Sequence, residues 1–137
     1  MDWFVVSGVR GGKKVLVVED DAAISDLLAT VIESEGYQTV PAFDGEAALA
    51  LARSQCPDLI TLDLALPKKD GHDVLRALET DEHTKCIPVI VVSAYTNRLL
   101  PEDFHHVAYV VNKPFDIEDL LSKVRTAIHS ASAGKRH

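Results

Sequence analysis

The chain lacks a surplus of positive charge: 14 lysines and arginines stand against 21 aspartates and glutamates, for a net charge of −7 and a pI near 5.2. No broad basic field is there to attract a nucleic-acid backbone or an anionic bilayer, so neither direct nucleic-acid binding nor membrane association is expected. No apolar run approaches the roughly 20 residues of a membrane span. Met1-Asp2-Trp3-Phe4 has no basic start of a secretory signal, which makes the cytoplasm the expected compartment. Cysteine is scarce too. Cys56 and Cys86 show neither CxxC spacing nor histidines arranged as in a zinc site, and read as two buried, reduced thiols. His72, His83, His105, His106, His129 and His137 are scattered and indicate no histidine metal site.

What is present is enough for one core. With 137 residues, 47% of them hydrophobic, the chain reads as a single domain. From residue 13, short β-branched runs alternate with stretches of helical period, the pattern of repeated βαβ units and a parallel sheet. Lys14 to Val18 is continuously apolar after its first residue, as in a strand buried on both faces, and ends in Glu19-Asp20-Asp21. Ile24, Leu27, Leu28, Val31 and Ile32 form a helical stripe, with Asp21 as N-cap and Gly36 as stop. A weaker strand at Tyr37 to Val40 is followed by an Asp44-Gly45 turn and an alanine-rich helix from Ala47 to Arg53, which Pro57 cannot continue. Further strands are expected at Asp58 to Asp63, Pro88 to Ser93 and Tyr109 to Lys113. A third helix carries Val74, Leu75 and Leu78, and a last one runs from about Asp116 to His129. The helix between Ser93 and Tyr109 is the least defined, because the interval is short and holds Pro101. Residues 1–12 read as an N-terminal extension and 131–137 as a C-terminal tail, since both are rich in small residues that rarely repay the entropy of ordering. The fold class is α/β, a doubly wound five-stranded parallel sheet with helices on both faces.

In open parallel sheets, reactive groups gather at the carboxyl ends of the strands. Those ends supply Glu19 and Asp20, Asp63, Ser93 and Lys113. Crowded carboxylates repel and move toward protonation unless a hard divalent cation neutralises them, and magnesium is the expected occupant. A lysine and a hydroxyl opposite such a metal suit the equatorial oxygens of a transferred phosphoryl group, with the carboxylate between them as nucleophile. Taken singly, each residue has a duller reading as a helix cap, a turn residue or a solvated charge; their joint placement separates the two.

Val17-Val18-Glu19-Asp20-Asp21, Leu62-Asp63-Leu64-Ala65-Leu66-Pro67-Lys68-Lys69-Asp70-Gly71, Ser93-Ala94 and Lys113-Pro114-Phe115 together resemble the signatures of response-regulator receiver domains, the chemotaxis-protein-like receivers of two-component systems. The resemblance covers about residues 13 to 130. It implies a flavodoxin-like strand order 2-1-3-4-5, phosphoryl acceptance at Asp63, and magnesium held by Asp20, Asp63 and the Ala65 carbonyl, with Glu19 acting through water. By the same resemblance Ser93 and Lys113 engage the aspartyl phosphate, and Lys113-Pro114 carries a cis peptide bond. The chain is then a signalling switch that catalyses only its own phosphorylation and dephosphorylation. Its partners would be a sensor histidine kinase or histidine phosphotransfer protein and a downstream effector protein or domain. Two departures stand out. His72 occupies a place where the family usually has an apolar residue, and is expected to be partly exposed. Val110 stands where the family usually has an aromatic ring, with Tyr109 one step away and so turned to the other face of its strand.

Competing readings weaken on the same residues. A haloacid-dehalogenase-type hydrolase needs a second acid two residues after the nucleophile, and that position is Ala65. A flavodoxin-like cofactor carrier wants small hydroxyl and glycine residues after its first strand, where Glu19-Asp20-Asp21 would repel phosphate. A degenerate receiver acting as a phosphorylation-independent interaction module would be expected to lack an acceptor or ligand; none is missing. Ser130 to Gly134 fits either a natural end or a linker to an output domain.

Overall fold

Because a parallel strand is covered on both faces, its side chains are apolar on both, and the buried runs here become the central strands. The computed structural model describes residues 12–105 and 107–135. The strands are β1 (Lys14–Val18), β2 (Gln38–Ala42), β3 (Leu59–Leu62), β4 (Val89–Ser93) and β5 (Val107–Asn112). They pair in parallel in the order β2-β1-β3-β4-β5, the expected 2-1-3-4-5. Among the described residues four α-helices accompany them: α1 (Ala22–Glu33), α2 (Gly45–Gln55), α3 (Gly71–Thr80) and α4 (Ile117–Lys135).

The pleat divides the core in two. Val15, Val17, Ile90, Val92 and Val111 pack with α1 and α4, whereas Leu16, Val18, Ile60, Leu62 and Val91 pack with α2 and α3. Proline is tolerated inside β2 at Pro41 because that strand is an edge.

Several boundaries differ from those read in the sequence. Asp44 accepts from the Ala47 amide and caps α2, so Gly45 opens the helix rather than closing a turn. Gly45 is buried against Lys69 and Val74, where a Cβ would lie 2.6 Å from Lys69 Cβ. The last helix continues through Lys135, into the stretch expected as a tail. Among the described residues between β4 and β5 no α-helix forms; two short 3-10 turns, Thr96–Arg98 and Pro101–His105, take its place. Pro101 has no amide to continue a helical ladder, and the interval offers no apolar stripe to bury. Trp3 to Val6, within the expected N-terminal extension, lie outside the described residues.

β5 contains an irregularity that spacing alone does not reveal. Val89 pairs with Val107 but Ile90 pairs with Tyr109, so Ala108 is the extra residue of a bulge. Val107 therefore packs with the α2/α3 layer, and Tyr109, two residues on, with the α1/α4 layer.

Candidate functional site

Ladder hydrogen bonds run one step past the strands and bring the predicted residues together. The Glu19 amide donates to the Ala42 carbonyl at 3.0 Å, the Asp63 amide to Val18 at 3.1 Å, and the Lys113 amide to Ser93 at 3.1 Å. Each strand end is thus held in register at the residue that carries its functional group. The Lys113-Pro114 peptide bond is cis, as expected.

Asp63 is only 5% exposed and is held on both oxygens. Lys113 Nζ donates to Oδ2 at 2.8 Å; the Ser93 hydroxyl and the Ala65 amide donate to Oδ1 at 2.8 and 3.1 Å. Lys113 Nζ also meets Glu19 Oε1 at 2.5 Å, and the other Glu19 oxygen accepts from the Asp21 amide at 3.1 Å. Asp20 stands exposed at the lip of the cleft, while Asp21 caps α1 by accepting from the Ala23 and Ile24 amides.

The electrostatics follow from burial. Desolvation pushes the Glu19 carboxyl above its ordinary value, with the hydrogen bonds from Lys113 and Asp21 pulling the other way. Burial also works against the Lys113 charge, but hydrogen bonds to Asp63 and Glu19 outweigh it and hold the ammonium above the ordinary lysine value. Oxygens of Glu19, Asp20 and Asp63 all lie within 4.8 Å of one another, the one trio of metal-ligating side chains this close among the described residues. Three carboxylates against one ammonium leave two negative charges, and oxygen donors of that charge fit a hard divalent cation.

Ser93 connects this cleft to the neighbouring segment, because its Oγ accepts from the Tyr95 amide at 3.1 Å while donating to Asp63. Tyr109 and Val110 lie as the sequence predicts: Tyr109 pairs with Ile90 and packs in the α1/α4 layer, and Val110 pairs with Val91 of the other layer.

A family model for the response regulator receiver domain matches residues 15–125. The chain belongs to that family. As a receiver it is a signalling module of two-component systems. It is 41% identical over 118 residues to the DNA-binding dual master transcriptional regulator RpaA of Synechocystis, a match covering 84% of this chain and 48% of that protein. This receiver spans about half the length of the curated relatives it matches. The receiver of the Francisella response regulator 1452 superposes with a TM-score of 0.77 at 32% identity, covering 87% of this chain and 98% of that one. The receiver of a Pseudomonas aeruginosa sensor histidine kinase, solved with magnesium in its active-site cleft, superposes at 0.78 with 26% identity, covering 86% and 98%. Among the described residues no helix is long and apolar enough to cross a membrane.

The cysteines require a correction. Both are exposed, because Cys56 is the left-handed C-cap of α2 and Cys86 lies in the turn before β4. With Pro57, His83 and Ile87 they line a recess of about 170 Å³, on chain segments that enter the sheet away from the cleft. The sequence reading also missed Asp103, a carboxylate only 2% exposed, which accepts from the Leu100 amide at 2.7 Å and faces His72. His72 was singled out by its type, but nothing in local spacing identifies its partners.

Proposed function

We propose that this receiver takes a phosphoryl group from a phosphohistidine donor onto Asp63, with magnesium, and relays the change through the segment after Ser93. The observation that carries the reading is Asp63 itself: a buried carboxylate held by Lys113 and Ser93 at 2.8 Å each, with two further carboxylates at hand. A carboxylate oxygen attacks phosphorus, the P–N bond to the donor histidine breaks, and the nitrogen departs with the bonding pair. Lys113 stays as the counter-charge to the new phosphate oxygens. Ser93 exchanges its bond to the carboxylate for one to the phosphoryl group. Asp20, Asp63 and the Ala65 carbonyl would hold the magnesium, with Glu19 acting through water; the ion supplies neutralisation of charge on the transferring group. Attack of water on the acyl phosphate returns the free acid and ends the signal.

The donor is a sensor histidine kinase or histidine phosphotransfer protein. Beside Lys113 an apolar groove of about 470 Å³ is lined by Ile24, Leu27, Ala94, Pro114, Phe115 and Ile117, with Leu27 and Ile117 exposed at 43% and 40%. Phosphoryl transfer requires the donor histidine to reach Asp63, and this groove adjoins the lysine that holds it. A downstream effector protein or domain reads the other side. Oxygens of Glu19, Asp20 and Asp63 stand together beside Lys113 and Ser93, which supports the phosphoacceptor reading over the degenerate alternative.

The test is intact-mass analysis after incubation with acetyl phosphate and magnesium. Wild type gains one phosphoryl group and Asp63→Ala none; equal labelling of both sinks the assignment. In calorimetry Asp20→Ala binds magnesium more weakly than wild type.

A further inference from the structure

Both ring nitrogens of His72 face hydrogen-bond acceptors. Nδ1 lies 2.9 Å from Asp70 Oδ1 and Nε2 lies 2.8 Å from the Arg98 carbonyl. Asp103 Oδ2 stands 3.5 Å from Nε2. An ionised carboxylate and a carbonyl can only accept, and a neutral imidazole has one N–H to give, so the two contacts together require the imidazolium. One ring therefore joins three elements: Asp70, the N-cap of α3 at the end of the Asp63 loop; the first 3-10 turn; and the second, which carries Asp103. Turns of three and five residues are too short to stabilise themselves and depend on what they are fastened to.

We propose that His72 is a proton-dependent latch that fastens the Asp63 loop and α3 to the segment Thr96–His105, closed when the imidazole is charged and released when it is neutral. The proposal rests on the reading of that segment as the output element. An apolar side chain at the same place packs but cannot bridge a carboxylate to a carbonyl. The charged groups around the ring favour closure: Asp70 from the loop and Asp103 from the second turn are the near ones. The Arg76 guanidinium stands 3.9 Å from Asp103, and that of Arg98 stacks over Tyr95 at 4.3 Å.

Burial works against the His72 charge, but hydrogen bonds to Asp70 and Arg98 and the charge of Asp103 outweigh it and raise the imidazole above its ordinary value. The sign is that of a raised histidine. The latch is fully formed below about pH 6.5, the unfolded-state value, and is lost as pH rises through the higher folded value.

The test uses the full chain without phosphodonor. Ring titration of His72 by NMR, assigned against His72→Leu, should give a midpoint above about 6.5. Amide exchange of Leu99 and Asp103, each bonded within its turn, is compared between wild type and His72→Leu at matched pH, so intrinsic base catalysis cancels. Protection in wild type should exceed that in the variant roughly tenfold near pH 5.5 and converge within about twofold near pH 8.5, as for loss of a charge-assisted bond. A ring midpoint below the ordinary value, or a protection ratio that does not change with pH, overturns the proposal. If His72→Leu fails to fold, the wild-type ring titration decides alone. None of these readouts needs Asp63 to be phosphorylated, so failure of the phosphoacceptor reading appears only in the Asp63→Ala comparison.

Discussion

Lys113 Nζ lies 2.5 Å from Glu19 Oε1, across 94 residues of chain, and serves Asp63 at 2.8 Å with the same ammonium. One cation thus ties the ends of β1, β3 and β5. Lys113→Met leaves two buried carboxylates facing each other without it. Breaking a buried pair by removing one partner costs about 3–5 kcal/mol, and the lysine's partial exposure places this case near the lower figure. On the proposed reading, in which magnesium is held by the folded carboxylate cluster and not by the unfolded chain, added magnesium should recover part of the loss. Urea denaturation with and without magnesium measures both effects; an unchanged midpoint in magnesium-free buffer would show that the ion pair contributes nothing.

Gly71 lets the Asp63 loop close on itself. A Cβ there would stand 2.4 Å from Leu64 Cα and 2.8 Å from the Leu64 carbonyl oxygen, and the Gly71 amide donates to that oxygen at 3.1 Å. The obstructing atoms are backbone, so nothing yields cheaply. Gly71→Ala is expected to lose at least about 2 kcal/mol by strain and to weaken magnesium binding by displacing Ala65. Thermal unfolding and calorimetry check the two effects separately, and a variant as stable as wild type contradicts the close approach.

Beryllofluoride, a phosphoryl mimic, is expected to raise amide exchange in residues 95–105. The Ser93 hydroxyl that now accepts from the Tyr95 amide is drawn to the new group, and Val110 provides no ring to follow it. The change therefore falls on the turns, which are also held by the Thr96 hydroxyl to the Asn112 side chain. Exchange altered only in the Asp63 loop and at the strand ends would refute this route.

Cys56 and Cys86 should both react with an aromatic disulfide reagent in the native protein, as their exposure requires. Reaction only after denaturation would contradict that exposure. Cys56 sits at φ 47, a conformation costing a side-chain-bearing residue about 1–2 kcal/mol. Cys56→Gly should therefore gain roughly 0.5 kcal/mol, the relief being partly offset by the freer unfolded chain. The urea midpoint reports the sign.

The α/β class and the convergence of Glu19, Asp20, Asp63, Ser93 and Lys113 were legible because strands buried on both faces are written as unbroken apolar runs, whereas the strand order was implied by the resemblance to receiver domains alone. A charged or hydroxyl residue ending such a run marks the cleft edge. The short element after Ser93 was legible from Pro101 and the brief spacing. Exposure of the cysteines was not, since it depends on α2 ending in a left-handed residue and on the turn before β4 standing clear of the core.

Local pattern and residue chemistry, then, determined which groups reach the carboxyl edge of the sheet, because periodicity and strand ends are properties of neighbouring residues. Only the tertiary structure decided which oxygen of Asp63 meets which donor, where the bulge at Ala108 turns β5, and that His72 finds Asp70, Arg98 and Asp103. Those contacts join residues up to 31 positions from His72 through the packing of separate elements, and no periodicity along the chain encodes them.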